Sequence, residues 1–322
     1  MGNDYIVSIE RDSFLSIDTG RLKIKFANTE QVHFVAVIDI AALILSSYQI
    51  TITNGVFKAL SEVGAIIICV DNSFMPTSIT LPIAKNLKGS ARPYLQAKNI
   101  DSKFNKTLWE QIIKSKISGQ ISVLKNININ QANYLENFLN QIQNGDEKNI
   151  ESFCARIYWE NYFKYFHSNN IREKTGATDV INSSLNYGYA IVRSIVARSL
   201  SSTGLNLNLG IWHSRKDNPF NLVEDFIEPF RYIADNVVLT LLKNNNYEFL
   251  NKELKNKIII EILKQEITLF DKQYRLFQGI DKAIYSYCRC LENNTSTLIL
   301  PNIKLTKNLK DIEINYIKYE TK

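Results

Sequence analysis

The chain has 322 residues, with 38 Lys plus Arg against 32 Asp plus Glu and only 3 His. At 45% apolar and 22% charged residues it is too apolar to stay disordered, and its length suits about two domains. The longest uncharged apolar runs, Ile40–Leu45 and Gly64–Val70, fall far short of the ~20 residues a membrane helix needs. Met1–Glu10 carries no secretory pattern, so the expected compartment is the cytoplasm, with no membrane partner. Cys69, Cys154, Cys288 and Cys290 are too few for a disulfide scaffold and lack zinc-site spacing; they read as reduced thiols. The net charge of +6 suits an anionic partner, but a chain so rich in Lys, Ile and Asn has the composition that an AT-rich genome produces regardless of function.

Residues 4–80 read mostly as strands. Tyr5, Val7 and Ile9 alternate with other residues, as do Leu22, Ile24 and Phe26, the period of a half-buried strand. Asp18-Thr19-Gly20 between Ser13–Ile17 and Arg21–Phe26 is a hairpin signal, with glycine supplying a positive φ. Thr51–Thr53 is a further β-rich piece, Val56–Val63 has helical spacing, and Ala65–Val70 fits a buried strand. Pro82, Gly89 and Pro93 mark a linker at 83–95. Beyond it the period changes to that of helices, one carrying Leu108, Ile112, Ile113, Lys116, Ile117 and Gln120 and the next running from Ala132 to Ile142. Asn149 is a reasonable cap for a helix over Ile150–Phe166. Further helices fit Val180–Leu200, Pro219–Leu242, Asn251–Glu266 and Tyr274–Leu291, and Thr295–Tyr319 returns to β-like alternation. The expected fold class is α+β: a small N-terminal β domain over 1–82, the linker, and a larger, mostly α-helical catalytic domain over 96–322.

Chemistry-bearing residues concentrate in three places of the helical part. Glu151 opens a helix crowded with aromatic residues, where an acid either complements the helix dipole or serves a site. His213 follows the apolar run Leu209–Trp212, where a histidine is either a satisfied core residue or a ligand; His33 and His167 have no acidic partners at useful spacing. Asp225 and Glu228 stand at i and i+3 of a helix opened by Asn218-Pro219, and two such charges share a bound divalent cation or a solvated face. Pro229 cannot donate to the Asp225 carbonyl, so the backbone is perturbed beside the acids. Carboxylates with one imidazole suit Mg²⁺ or Mn²⁺ better than zinc. Arg193, Arg198, Arg215, Lys216 and Arg231 lie near these motifs and are candidates for holding phosphates, although surface solvation accounts for any one of them equally well. No Gly-rich phosphate loop, G-x-S-x-G or H-E-x-x-H is present, which argues against kinase, serine hydrolase and zinc protease chemistry.

The order Glu-Ser-Phe-Cys-Ala-Arg-Ile-Tyr-Trp (151–159), Asn182-x-x-Leu-Asn-Tyr-Gly-Tyr-Ala, Gly210-Ile-Trp-His, Asp217-Asn-Pro-Phe-Asn-Leu and Asp225-x-x-Glu-Pro-Phe-Arg resembles the CRISPR-associated adaptation integrase family, the metal-dependent DNA endonuclease/integrase subunit that inserts spacers into CRISPR arrays. The resemblance covers most of the chain. It implies that Glu151, His213 and Glu228 bind Mg²⁺ or Mn²⁺ with Asp225 beside them, the four forming the catalytic set. It further implies a homodimer that joins a small ferredoxin-like adaptation partner and acts on double-stranded DNA, both prespacer and CRISPR repeat. The implied reaction is attack of a captured fragment's 3′-hydroxyl on the repeat phosphodiester, a transesterification that needs no ATP. Ser152, Cys154-Ala155 and Tyr232 depart from the family's commoner residues without removing an implied ligand. A related mobile-element integrase and a non-catalytic DNA-binding scaffold are the alternatives; no appended helix-turn-helix supports the former.

Overall fold

A computed structural model describes residues 5–70, 76–80, 82, 91–99, 103–143, 145–174, 176–301 and 316–319. The chain divides into two compact units, residues 1–85 with 311–322, and residues 86–310.

The first unit is built on two sheets. In one, β1 (Tyr5–Ile9) lies parallel to β5 (Ile40–Leu45), which lies parallel to β7 (Ile66–Val70), with β8 (Pro76–Thr80) antiparallel at one edge. The other sheet joins β2 (Ser13–Asp18), β3 (Arg21–Phe26), β4 (Val32–Ala36) and β6 (Ile50–Ile52). The expected hairpin is present: Ile17 opposes Leu22, and Thr19 (φ +48°) and Gly20 (φ +75°) turn the chain in the left-handed region. All six residues of β5 are buried, as a strand covered on both faces requires. Its parallel partner β7 is reached through β6 and α1 (Asn54–Glu62), the crossover that a parallel pair demands. Val7, Leu15, Leu22, Ile24, Leu43 and Val56 form the centre of one core.

The last strand corrects the expected domain limits. β11 (Tyr316–Tyr319) pairs in parallel with β1, Val7 opposite Ile317, so it belongs to the β unit and not to a helical domain running to residue 322. It supplies the backbone partners that β1 lacks on that side. Part of the expected linker at 83–95 is helical as well: α2 (Arg92–Lys98) lies in the second unit, and buried Arg92 pairs with Glu292 at 2.7 Å. The remainder of that stretch, 83–90, lies outside the described residues.

The second unit is helical: α3 (Lys103–Lys125), α4 (Ile129–Glu136), α5 (Ile150–Tyr165), α6 (Val180–Ser202), α7 (Asn221–Ile227), α8 (Arg231–Asn244), α9 (Lys252–Leu263) and α10 (Leu276–Asn293) follow α2. α6 is the hub, packing against α7, α8, α9 and α10. Two glycines permit the closest approaches. A Cβ on Gly188 of α6 would stand 2.9 Å from the Ala234 Cβ of α8, and one on Gly119 of α3 would stand 2.9 Å from the Tyr232 ring. The backbones of α6 and α8 therefore meet closely, and the Tyr232 side chain of α8 lies directly on α3, which draws α3, α6 and the start of α8 around one cleft.

Three local departures have clear causes. Asn149 sits in the left-handed region (φ +53°) and caps nothing; the Asp146 carboxylate accepts from the Ile150 and Glu151 amides at 2.8 and 2.9 Å instead. The expected helix over Pro219–Leu242 is broken by a 3₁₀ turn at Glu228–Phe230, where Pro229 removes a donor. Finally, α9 stops at Leu263, and β9 (Glu266–Leu269) and β10 (Lys272–Arg275) form a hairpin that the apolar spacing does not reveal.

Candidate active site

The cleft is organised around a lysine. Lys116, on α3, shares its apolar helix face with Ile112, Ile113 and Ile117, and burial there forces its ammonium to find anions. It pairs with Glu151 Oε1, in the first turn of α5, and with Glu228 Oε2 at 2.6 Å, at the Pro229 break. On its other oxygen, Glu228 accepts from Arg231 Nε at 2.9 Å. Burial pushes the Glu228 carboxyl up, but Lys116 and Arg231 more than offset this and hold it down to about 2. Lys116 is displaced in the opposite direction: burial lowers it, and Glu228 and Glu151 together leave it raised. Glu228 is therefore ionised at neutral pH, with its Oε2 paired to the Lys116 ammonium at 2.6 Å and its Oε1 to Arg231.

The loop before α7 brings the imidazole. Asp225 is fully buried, and its Oδ2 accepts from the Ile211 and Trp212 amides at 2.5 and 3.1 Å. Its Oδ1 accepts from the His213 amide at 3.1 Å and meets His213 Nδ1 at 2.7 Å. A Cβ at Gly210 would collide with the His213 carbonyl and stand 2.7 Å from Asp225, so only glycine lets the loop wrap the acid this closely. The Asp225 hydrogen bond is the main cause that raises the His213 imidazole above its ordinary pKa, against the desolvation that would lower it. Asp225 itself is raised by burial, with His213 opposing. Its oxygens are thus engaged by the loop amides and the imidazole, which places Asp225 behind His213. It leaves Nε2 as the ring nitrogen available to a ligand, the arrangement by which a carboxylate orients a metal-binding histidine. Trp109 packs edge-on against the imidazole at 5.7 Å and stacks on Trp212 at 5.5 Å, fixing the ring from the other side.

A cavity of about 740 Å³ opens over the carboxylates, lined by Lys116, Glu151, Arg172, Arg193, Glu228 and Arg231 among others. Two guanidiniums approach the Tyr189 ring, Arg172 at 5.3 Å and Arg231 at 4.9 Å from its centroid. Its hydroxyl donates to Asp235, a buried acid that also accepts from Tyr158 at 2.8 Å. Tyr162 donates to the Asp235 carbonyl at 2.8 Å. Burial pushes the Asp235 carboxyl up to about 6, against the two phenol hydrogen bonds.

Of the residues expected from sequence, Glu151, Glu228, Arg193 and Arg231 thus line one cavity, and Asp225 ties His213 to the adjoining loop. Arg193 donates to Glu224 at 2.8 Å. Arg198 is not in the cleft: it is buried and committed to Asp281 at 2.8 Å. Arg215 pairs with Asp217 in an exposed loop at 2.9 Å, and exposed Lys216 lies beside it; neither lines the cavity. Lys116, Arg172, Tyr189 and Asp235 were not singled out as site residues. A lysine within the apolar stripe of α3 is the signal that marks Lys116.

Among the described residues, no three His, Cys, Asp or Glu side chains stand close enough together to hold a metal ion. The place between Glu151 and Glu228 belongs to the Lys116 ammonium. In kind, however, the donor set fits a hard divalent cation: two carboxylates converging on one positive charge, and an imidazole oriented through Nδ1.

The chain thus joins a β unit to a helical unit whose cleft holds two carboxylates ringed by arginines. The family model described as CRISPR associated protein Cas1 matches residues 6–267, and the chain belongs to this family. It is 32% identical over 278 residues to the CRISPR-associated endonuclease Cas1 of Neisseria meningitidis serogroup C (strain 8013), covering 84% of this chain and 88% of the relative. Against the CRISPR-associated endonuclease Cas1 1 of Francisella tularensis subsp. novicida (strain U112) it is 24% identical, covering 87% and 93%. By fold it is similar to a casposase bound to integration product, with a TM-score of 0.72 at 20% identity and 93% of each chain covered. It is also similar to a chain of a Cas6-RT-Cas1–Cas2 complex, with a TM-score of 0.71 at 15% identity, covering 95% of this chain and 36% of that one.

Proposed function

We propose that this chain is the DNA endonuclease/integrase of CRISPR adaptation, joining the 3′-hydroxyl ends of captured DNA to the repeat by transesterification at the Lys116–Glu151–Glu228 cleft. The observation that carries this reading is the convergence of Glu151 and Glu228 on one ammonium, with the Asp225-oriented imidazole of His213 within the electrostatic reach of Glu228. Glu151, Glu228 and His213 Nε2 would hold Mg²⁺ or Mn²⁺ in exchange for the Lys116 ammonium. Bound there, the ion would supply Lewis-acid polarisation of the phosphodiester and stabilisation of the leaving oxygen.

The chain's own residues do the rest. Arg231 and Arg193, anchored on Glu228 and Glu224, and Arg172 over the Tyr189 ring present guanidinium donors to phosphate oxygens. Asp225 fixes the tautomer and tilt of His213, and the Ile211–His213 amides lock Asp225 in turn. One phosphodiester bond forms as another breaks, so nucleotide hydrolysis is not required. The family membership supports the CRISPR role, and the casposase and Cas1–Cas2 neighbours support DNA and a small Cas2-type partner. A homodimer and a cytoplasmic setting complete the proposal; among the described residues no helix is long and apolar enough to cross a membrane.

The test is strand transfer of a labelled short duplex with free 3′-hydroxyls into a supercoiled repeat-bearing plasmid, with Mn²⁺ or Mg²⁺ and the small partner. Wild type should insert at the repeat borders, and well-folded Glu228→Ala and His213→Ala should not. Full activity in folded His213→Ala would overturn the ligand assignment, and insertion at random sites would favour a mobile-element integrase.

A further inference from the structure

A second cavity, of about 470 Å³, lies within the helical unit between the C-terminal end of α6, the β9–β10 hairpin and α10. Nothing in the proposed integration chemistry uses it. Its outer wall is a stripe on α10: Lys282, Tyr285 and Arg289, at i, i+3 and i+7, are all exposed on one helix face. Lys282 rests 4.8 Å above the Tyr274 ring of β10, and among the described residues neither Lys282 nor Arg289 has a carboxylate partner. The one acid in the wall, Asp281, is neutralised by the bidentate contact of Arg198 at 2.8 and 3.0 Å, so the uncompensated charge in the cavity is positive.

One further feature points to a ligand. Phe270, at the hairpin tip, is 69% exposed and held at φ +47°, a conformation that an aromatic residue rarely adopts and that a two-residue turn normally gives to Asn or Gly. An exposed ring kept in such a conformation at a cavity mouth is stationed for contact.

We propose that this cavity holds one unpaired nucleotide of single-stranded DNA, the base stacked on Phe270 and Tyr285 and the adjoining phosphates on Lys282 and Arg289. Exposed rings alternating with free cations form the surface that binds unpaired bases without reading sequence. The volume lies in the range of small-ligand sites and suits one nucleotide, not a duplex. Only the choice of deoxyribose rests on the integrase reading; the base and phosphate recognition do not.

The full-length protein is titrated into fluorescein-labelled oligo-dT of about 12 nucleotides, a length that spans a typical single-strand site, and into a blunt duplex of equal length. Tyr285→Ala and Phe270→Asn should each weaken oligo-dT binding roughly 5- to 150-fold, the range measured when a stacking ring is removed, and leave duplex binding unchanged. Phe270→Asn should at the same time raise the melting temperature, because Asn accepts the left-handed turn; a merely structural ring would not lose binding while stabilising the fold. Photocrosslinking of a bromodeoxyuridine oligonucleotide should label the peptides carrying Phe270 or Tyr285. Unchanged oligo-dT affinity, an equal loss of duplex affinity, or crosslinks confined to other segments would overturn the proposal. So would an acidic peptide that binds wild type but not Arg289→Glu while oligo-dT binds both equally, which would make the cavity a protein-docking site. Strand transfer from a fully paired donor should proceed normally in both variants. A chain that transfers no strand yet shows these oligo-dT losses would defeat the integrase reading and keep this one.

Discussion

Replacing Lys116 with Met tests the electrostatics of the cleft. Methionine keeps most of the aliphatic reach beside Ile112 and Ile113 and removes the charge that holds Glu151 and Glu228 together. The Glu228 side chain is 8% exposed and that of Glu151 is 29% exposed, so one carboxylate is left buried and the other partly screened by water. Breaking a fully buried pair by removing one partner costs about 3–5 kcal/mol, and the exposure of Glu151 and the retained Arg231 contact place this case near the lower end. For a unit of this size about 3 kcal/mol corresponds to a fall in melting temperature of about 6–12 °C. A divalent cation should return most of that, since saturation at 100 Kd stabilises by about 2.7 kcal/mol. Thermal melts followed by circular dichroism, with chelator and with Mn²⁺, give the result. The variant should melt well below wild type in chelator and gain more from Mn²⁺ than wild type does. Equal melting in chelator, or equal Mn²⁺ shifts in both proteins, would refute the reasoning.

Other outcomes follow from single contacts. Asp225→Asn keeps one carbonyl acceptor for the several groups the carboxylate serves, so it should lower Mn²⁺ affinity by about 10- to 100-fold in a titration with the fold retained; unchanged affinity would remove the positioning role. The Asp235 carboxyl, raised to about 6 in the folded chain from 3.8, gives stability that is full below about pH 4 and is lost as pH rises through 6. Relative to Asp235→Asn, wild type should therefore lose on the order of 3 kcal/mol across that window in denaturant titrations, and a flat difference would contradict the buried-acid account. Gly188→Ala places a methyl 2.9 Å from the Ala234 Cβ and should cost about 1–3 kcal/mol without altering oligonucleotide binding; an unchanged melting temperature would mean that α6 and α8 separate freely.

Much of this architecture is written in periodicity. Alternation in Arg21–Phe26 and the Asp18-Thr19-Gly20 turn are local signals, and they return as β3 and its hairpin with the expected backbone. The 3.6-residue stripes of α3, α6 and α10 are equally direct, because each buries one face. What stayed hidden depends on distant partners. β11 gains its meaning from β1, some three hundred residues earlier in the chain, and no local pattern announces a parallel pairing across that separation. The β9–β10 hairpin turns on Phe270-Asp271, a pair with no glycine, so the usual turn signature is missing. In the cleft, Glu151, His213 and Glu228 were legible as acids and an imidazole in unusual settings. The hydrogen bonding of Asp225 was not, because its distinguishing feature is the backbone amides folded around it. Arg198 shows the limit of reasoning by proximity along the chain: it lies one turn from Ser194 and Ser202 on α6, yet points its charge into a structural pair with Asp281.

In the proposed site Glu151, His213 and Glu228 bind one divalent ion where the Lys116 ammonium stands. Counting bound Mn²⁺ by the loss of the free-ion paramagnetic resonance signal tests it most directly. One ion per wild-type chain, with binding lost in both Glu151→Gln and Glu228→Gln and weakened in His213→Ala, is the predicted result. Undiminished binding in the glutamine variants, or no bound ion in wild type, would contradict it.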